Sequence, residues 1–196
     1  MKLPLSYYCA NNVVEIARDL IGKEIFTNFN GELTSGMISE TEAYEGITDK
    51  ASHAFSGRRT KRTETMFLEG GRSYVYLCYG IHSLFNIVTG TVDTPHAVLI
   101  RGIIPKAGIK IMKARTGKTS LINISSGPGK LCKAMGISLI HNNISLLGNQ
   151  IWIEGDGFSY DIKGYEVEDY KIETTKRIGI DYAGDDALLP YRFVIK

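Results

Sequence analysis

The sequence predicts an α+β fold: one domain spanning residues 1–196, with a curved, mostly antiparallel sheet and flanking helices. Extended segments outnumber helical ones, and most follow one another directly rather than through long crossovers. An Asn30-Gly31 pair sits between two extended runs, a strong signal for a tight antiparallel hairpin. The 196 residues suffice to bury about two thirds of the unfolded surface.

Taken in order, residues 12–22 read as a helix with an Asn start and a Gly stop. Residues 23–29 and 33–44 form the hairpin around Asn30-Gly31, and 45–61 is a polar loop long enough to carry function. A short helix is expected at 62–68, ended by Gly70-Gly71. Strands follow at 72–79, 82–89 and 96–104, the first two joined at Gly80. Pro105 is expected to lead into a basic helix over 106–115, and Gly127-Pro128-Gly129 to open another over 130–135. Further strands are expected at 150–154, around 170–174 and at 191–195.

One strand carries charge where a core strand should be apolar. Side chains alternate along a strand, so Ile38, Glu40, Glu42 and Tyr44 are expected on one face. Two carboxylates bracketed by Ile and Tyr are either a wet outer face or a half-buried acid/base site. His53, the aromatic run Tyr74-Val75-Tyr76-Leu77-Cys78-Tyr79-Gly80, Asn86 and an isolated Arg101 favour the second. Acid, rings, amide and guanidinium are the parts needed to hold a flat polar ligand and bring water to it. Tyr74 and Tyr76 share a face opposite Tyr79, so the three cannot pack one core.

A hydrophobic content of 43% and a charged content of 22% suit a soluble globular chain. No apolar stretch reaches the roughly 18 residues of a membrane span, and the N-terminus is a poor secretory signal. Three widely spaced cysteines without a Cys-x-x-Cys argue against a disulfide frame and for a reducing, cytoplasmic compartment. The four histidines lack metal-ligand spacing, so neither a metal nor another cofactor is expected. Net charge is only +2, but between Thr94 and Ile153 there is no acid against eight bases, and a basic knot lies at residues 58–62. A solvated face is the bland reading of either cluster; a polyanion partner is the functional one. Two phosphate-loop lookalikes fail, because Met112 and Ile124 stand where a Walker loop needs its first glycine.

The residues together resemble a family. The run Glu40-Thr41-Glu42-Ala43-Tyr44, then His53, Met66-Phe67, the 74–80 aromatic run, Asn86 and Val98-Leu99-Ile100-Arg101 look like the alkyladenine (3-methyladenine) DNA glycosylases. The resemblance continues through residues 126–132, Arg177-Ile178-Gly179-Ile180 and Pro190-Tyr191-Arg192-Phe193, and so covers nearly the whole chain in order.

The resemblance implies a monofunctional DNA glycosylase of base excision repair. Such an enzyme flips a damaged purine out of double-stranded DNA and hydrolyses its N-glycosidic bond. It implies Glu42 as the group that activates water, held also by Arg101 and the backbone carbonyl of Ile178. It implies Tyr44 and His53 as the walls of the base pocket, Tyr76 against the base edge, and Asn86 as the test that excludes the guanine amino group. Tyr79 would be the wedge that fills the gap in the duplex, with Arg58, Thr60 and Lys130 on the DNA. Ile81-His82-Ser83 after the wedge is a variable stretch, and Ile178 matches only as an aliphatic. A monomer near the nucleoid is expected, acting on alkylated or deaminated purines without metal or cofactor. Two rivals are a non-catalytic nucleic-acid-binding module and a nucleoside or sugar hydrolase using Glu40 and Glu42. The i,i+2 spacing of those carboxylates puts them roughly 6.6 Å apart along the strand, on one side of a substrate rather than flanking a bond.

Overall fold

In the computed structural model, which describes residues 1–155 and 171–196, the Asn30-Gly31 hairpin forms with both central residues at positive φ, 54° and 83°. Its arms are β1 (Glu24–Phe29) and β2 (Glu32–Tyr44). The remaining strands are β3 (Arg72–Cys78), β4 (His82–Thr89), β5 (His96–Ala107), β6 (Ile151–Glu154), β7 (Ile172–Thr175) and β8 (Arg192–Ile195). Among the described residues they form one antiparallel sheet in the order β3-β4-β5-β2-β1-β6, with β8 also pairing β2 and β7. The expected α+β class with a curved sheet is the one observed. Tyr170, part of an expected strand, lies outside the described residues.

Strand β2 organises the sheet. Its first half pairs β1 and its last turns of pleat, Glu40 to Glu42, pair β8. Between these halves Ser39 has no partner on β5, and one step further on, opposite Glu40–Thr41, Arg101 is skipped, so the two strands bulge in succession. A bulge resets alternation and increases twist. Ile38 therefore does not share a face with Glu40, Glu42 and Tyr44, as a regular strand would require. It belongs to the main core with Ala43 and Phe193.

Helices α1 (Leu5–Tyr8), α2 (Val13–Asp19) and α4 (Pro128–Met135) contribute to that core, and α3 (Ile109–Thr116) packs beside α4. Asn12 caps α2 by accepting from the Glu15 amide at 3.1 Å. Helix α1 was not expected from sequence; it buries Tyr7 and Tyr8, and the Tyr7 hydroxyl donates to Asp19 at 2.8 Å. The expected helix over 106–115 is also corrected. Strand β5 runs through Pro105 to Ala107, and α3 begins only at Ile109. Proline is tolerated there because Lys106 is skipped in the pairing, making a second bulge. Opposite it, a Cβ on Gly36 would fall 2.7 Å from Ile103 Cδ1 and 2.9 Å from the Ile104 carbonyl oxygen, so only glycine fits. The expected short helix at 62–68 is a single 3-10 turn, Glu64–Phe67.

The two faces of the sheet divide the molecule. Val75, Phe85, Ile87, Val98 and Ile100 point into the main core. Their neighbours Tyr74, Tyr76, Asn86 and Leu99 point the other way, beneath the 45–68 loop and the 177–188 segment. Two small apolar clusters sit on that second face. Ala54, Met66, Phe67 and Tyr74 anchor one; Ala51, Ile180 and Ala183 anchor the other, with Tyr44 against it.

Candidate active site

One cross-strand row runs along the second face. Tyr74 pairs Asn86, Asn86 pairs Leu99, Leu99 pairs Glu42, and Glu42 pairs Arg192. Strands lie roughly 4.8 Å apart, so Asn86 and Glu42 stand about 10 Å from each other across the floor. Above the row is a cavity of about 410 Å³ lined by Tyr44, His53, Tyr76, Tyr79, Asn86, Arg101 and Ile178, among others. The sequence-predicted pocket residues thus converge on one cavity.

Glu42 is not itself on the cavity wall and has no exposed surface; it is hydrogen-bonded to Tyr44, Arg101 and Ile178, which do line the cavity. Its Oε1 accepts from the Ile178 amide at 2.8 Å, and its Oε2 accepts from the Tyr44 hydroxyl at 2.8 Å and from Arg101 Nη1 at 3.4 Å. A carboxylate offers about four acceptor sites, so one remains for a further donor. Burial pushes the Glu42 carboxyl above the usual glutamate range; Arg101, the Ile178 amide and Tyr44 pull the other way, and Glu40 adds to the rise. Ile178 touches Glu42 through its N–H; the carbonyl, which the resemblance assigns to the water, is a separate group of the same residue.

The bulge at Arg101 is what brings this guanidinium to Glu42. Ile100 and Ile103 both belong to the main core. A regular strand would put Arg101 and Ile103 on the same face; the skipped residue frees Arg101 to face the site. Arg101 Nε donates to Glu40 Oε1 at 2.8 Å, and Arg192 Nε donates to the same oxygen at 2.7 Å. Both carboxylates therefore meet one guanidinium on one side of the cavity.

Aromatic rings form the walls. The His53 ring meets Tyr76 edge-on with centroids 4.6 Å apart, and its Nδ1 lies 2.9 Å from the Tyr74 hydroxyl. Arg62, which can only donate, approaches His53 Nε2 at 3.3 Å, which assigns the ring proton to Nδ1. Burial, with Arg62 and Arg58 adding to it, lowers the His53 pKa to about 4, so the ring is neutral near pH 7. Asn86 is buried, and its Nδ2 donates to the Tyr74 carbonyl at 3.1 Å. Tyr44 stacks under the guanidinium of Arg177, whose centre is 4.9 Å from the ring centroid. Arg177 in turn is bound by Asp49, with both side chains buried, and donates to the Ala43 and Asp186 carbonyls.

At the rim, the Cys78–His82 connection places Tyr79 93% exposed with φ 50°, and Ile81 is exposed beside it. A Cβ on Gly129 would lie 3.3 Å from the His82 ring, so the start of α4, with Lys130 exposed, sits against this hairpin. Arg58 and Thr60 are exposed and line a second cavity of about 340 Å³, which shares His53, Arg62 and Tyr182 with the first. The basic clusters are less uniform than the sequence suggests. Arg59 is paired to Glu64 and Asp93, Lys106 to Glu24, and Arg115 to Glu32. Sequence reading did not assign Arg62, Arg192 or Tyr182 to the site. Arg62 lay in the basic knot and Arg192 in the Pro-Tyr-Arg-Phe block, but nothing local marked where either would point. Among the described residues no cluster of three or more His, Cys, Asp or Glu could hold a metal ion. Nor is any helix long and apolar enough to cross a membrane.

A slot walled by flat rings, with a buried carboxylate bonded to its lining residues and an exposed ring at its mouth, has the construction of a hydrolase for a flat polar group in a larger substrate. The family model for methylpurine-DNA glycosylase (MPG) matches residues 7–196. A protein of Chlamydia felis provisionally named 3-methyladenine DNA glycosylase is 43% identical over 196 residues, covering 98% of this chain and 95% of its own. Provisionally named 3-methyladenine DNA glycosylases of Bacillus cereus and Chlamydia pneumoniae are 42% and 41% identical. They cover 100% and 96% of this chain, and 96% and 92% of their own. The chain belongs to the methylpurine-DNA glycosylase family. It is a DNA N-glycosylase, an enzyme of DNA repair that removes alkylated bases.

Proposed function

We propose that the chain, acting as one domain over residues 1–196 and as a monomer, releases 3-methyladenine and other alkylated purines from duplex DNA, with Glu42 as the base that activates water. The observation that carries this reading is the buried Glu42 carboxylate, held by the Ile178 amide, the Tyr44 hydroxyl and Arg101 at an aromatic slot. Damaged DNA in the cytoplasmic compartment is the partner.

In this reading Tyr79 enters the duplex as the base leaves it, and Arg58, Thr60 and Lys130 hold phosphates. The flipped purine lies between Tyr44 and His53, with Tyr76 at its edge. Alkylation at a ring nitrogen makes the purine cationic, which strengthens its stacking on π faces. Asn86, with one amide hydrogen already on the Tyr74 carbonyl, tests the purine edge and disfavours the guanine amino group, so a guanine is released only when alkylation, as at N7, has made it a cationic leaving group. The Arg101–Glu42 contact, the longest of the three at 3.4 Å, opens to admit a water that Arg101 and the Ile178 carbonyl also hold.

As the N-glycosidic bond breaks, its electron pair goes to the alkylated base, which departs neutral. The water oxygen bonds to the sugar carbon, its proton passes to Glu42, and the product is an abasic site. The charge of Glu42 also stabilises the oxocarbenium-like state. No second acid is needed for a cationic leaving group, and Glu40, the carboxylate beside Glu42, is held by two arginines. This arrangement disfavours the paired-carboxylate hydrolase, and nothing in the scheme draws on a metal or cofactor. A deaminated purine such as hypoxanthine leaves as an anion unless protonated, so its release should be slower.

The test is free-base release from duplexes each carrying one defined lesion. Release of 3-methyladenine and 7-methylguanine, with slower release of hypoxanthine, is the expected result. Binding of these duplexes with no base released from any would overturn the reading.

A further inference from the structure

We infer that Glu40 is a positioning residue for the reaction. Braced by Arg192 on the last strand, its carboxylate fixes the Arg101 guanidinium beside Glu42 and sets how closely it approaches. The inference rests on the reading that Glu42 is the base.

Three features of the geometry carry it. First, a single oxygen, Glu40 Oε1, accepts from Arg101 Nε at 2.8 Å and from Arg192 Nε at 2.7 Å, while Arg101 reaches Glu42 only at 3.4 Å. The short contact holds Arg101 and the long one yields to substrate. Second, the residues are enclosed: the side chains of Arg101 and Glu40 are 12% and 13% exposed, so solvent screening is weak. Third, the backbone is shaped for this contact. The paired bulges at Ser39 and Arg101 turn Glu40 and Arg101 toward each other, and a Cβ on Gly102 would stand 3.0 Å from Ser39 Oγ and 3.4 Å from Glu40 Cβ. Arg192 is itself fixed, donating through Nη1 to Thr175 Oγ1 at 2.9 Å on β7.

The charges around Glu42 give the inference a direction. Those facing it are Glu40 on its own strand, Arg101 on β5, and Arg177 beside Ile178 on the following segment; Tyr44 faces it as a neutral donor. Arg192 is its cross-strand neighbour on β8. Glu40 opposes ionisation of Glu42 directly, and also competes with Glu42 for Arg101. Glu40→Gln therefore lets Arg101 pair fully with Glu42, making it a weaker base. Arg192→Gln does the reverse: it removes a positive charge and leaves Glu40 to draw Arg101 away.

The experiment is the pH profile of single-turnover base release from a duplex carrying 7-methylguanine, with affinity for undamaged duplex and thermal stability measured on each variant. Glu40→Gln should lower the plateau rate by a factor of about 10 to 100, the range a misplaced group costs, with duplex affinity unchanged. Its acid limb should move to lower pH, and that of Arg192→Gln to higher pH. A purely structural role would lower stability and plateau and leave both limbs where they are. Unmoved limbs, or limbs moving in the same direction, overturn the inference. Should Glu40→Gln fail to fold, the direction of the Arg192→Gln limb decides. Glu42→Gln separates the two readings. If it keeps both rate and limb, the base assignment fails; if it is inactive while the Glu40→Gln limb is unmoved, only the present inference fails.

Discussion

Tyr79 holds a backbone conformation, φ 50°, that costs a bulky L-residue about 1–3 kcal/mol. The other tight hairpin of the sheet uses Asn30-Gly31, residues that adopt such angles readily. Tyr79 gains nothing from packing that would offset its strain, because its ring is almost wholly in solvent. The expectation is that the residue is kept for what it does to DNA. Tyr79→Gly should leave the melting temperature at or above that of the wild type. Excision from stably paired duplex should slow, with less loss for the same lesion in an unstable mispair, where extrusion costs less. Equal losses on the two substrates would contradict the wedge assignment. His53 carries a complementary lesson at this scale. Its neutrality near pH 7 comes from burial and from Arg62 and Arg58, and neither arginine can be placed against it from sequence alone.

The 177–188 segment is tied to the loop after β2 by a buried ion pair. Arg177 meets Asp49 with both side chains essentially inaccessible, and the next residue supplies the amide that binds Glu42. Removing one partner of such a pair leaves an uncompensated charge, at a cost of about 3–5 kcal/mol. Asp49→Asn should therefore lower the denaturation midpoint strongly and reduce base release together, since the Ile178 amide shifts with its neighbour; an unchanged midpoint would contradict this account. Asp49 and Arg177 also mark the limit of what was legible. Alternation along the strand groups Tyr74 with Tyr76, as observed, whereas Tyr79 stands apart because β3 ends at Cys78 and Tyr79 lies in the turn. The Asn-Gly hairpin and the Gly-Pro-Gly helix start were local signals and formed where expected. The bulges were not legible, because an extra residue in a strand leaves no mark in the chain itself. Hence simple alternation puts Ile38 on the wrong face, and Pro105, expected to lead into a helix, is part of β5. Partnerships such as Arg192 with Glu40, formed 152 residues apart, depend on sheet topology that no local pattern encodes.

Across the whole molecule, charge separates by location rather than by sequence segment. Lys130 stands exposed at the start of α4 beside the Tyr79 hairpin, whereas Arg115 is paired to Glu32 at the far end of β2, roughly 30 Å along the strand from Glu42. Log affinity for duplex DNA should fall linearly with log salt, and Lys130→Ala should shallow the slope by about one while weakening damaged and undamaged DNA alike. Arg115→Ala should leave the slope unchanged; if both variants behave alike, the acid-free segment acts as a diffuse field and not through this face. In the proposed reaction the buried Glu42 carboxylate, raised in pKa by its burial, must be ionised for water to attack. The wild-type rate should therefore fall as pH drops through a value above the usual glutamate range, since protonation removes the base. The most direct measurement is single-turnover base release by Glu42→Gln from a 7-methylguanine duplex, with affinity for that duplex measured in parallel. The expected result is a rate lower by a factor on the order of 10² or more with affinity retained or increased; a normal rate with the acid limb intact would contradict Glu42 as the base.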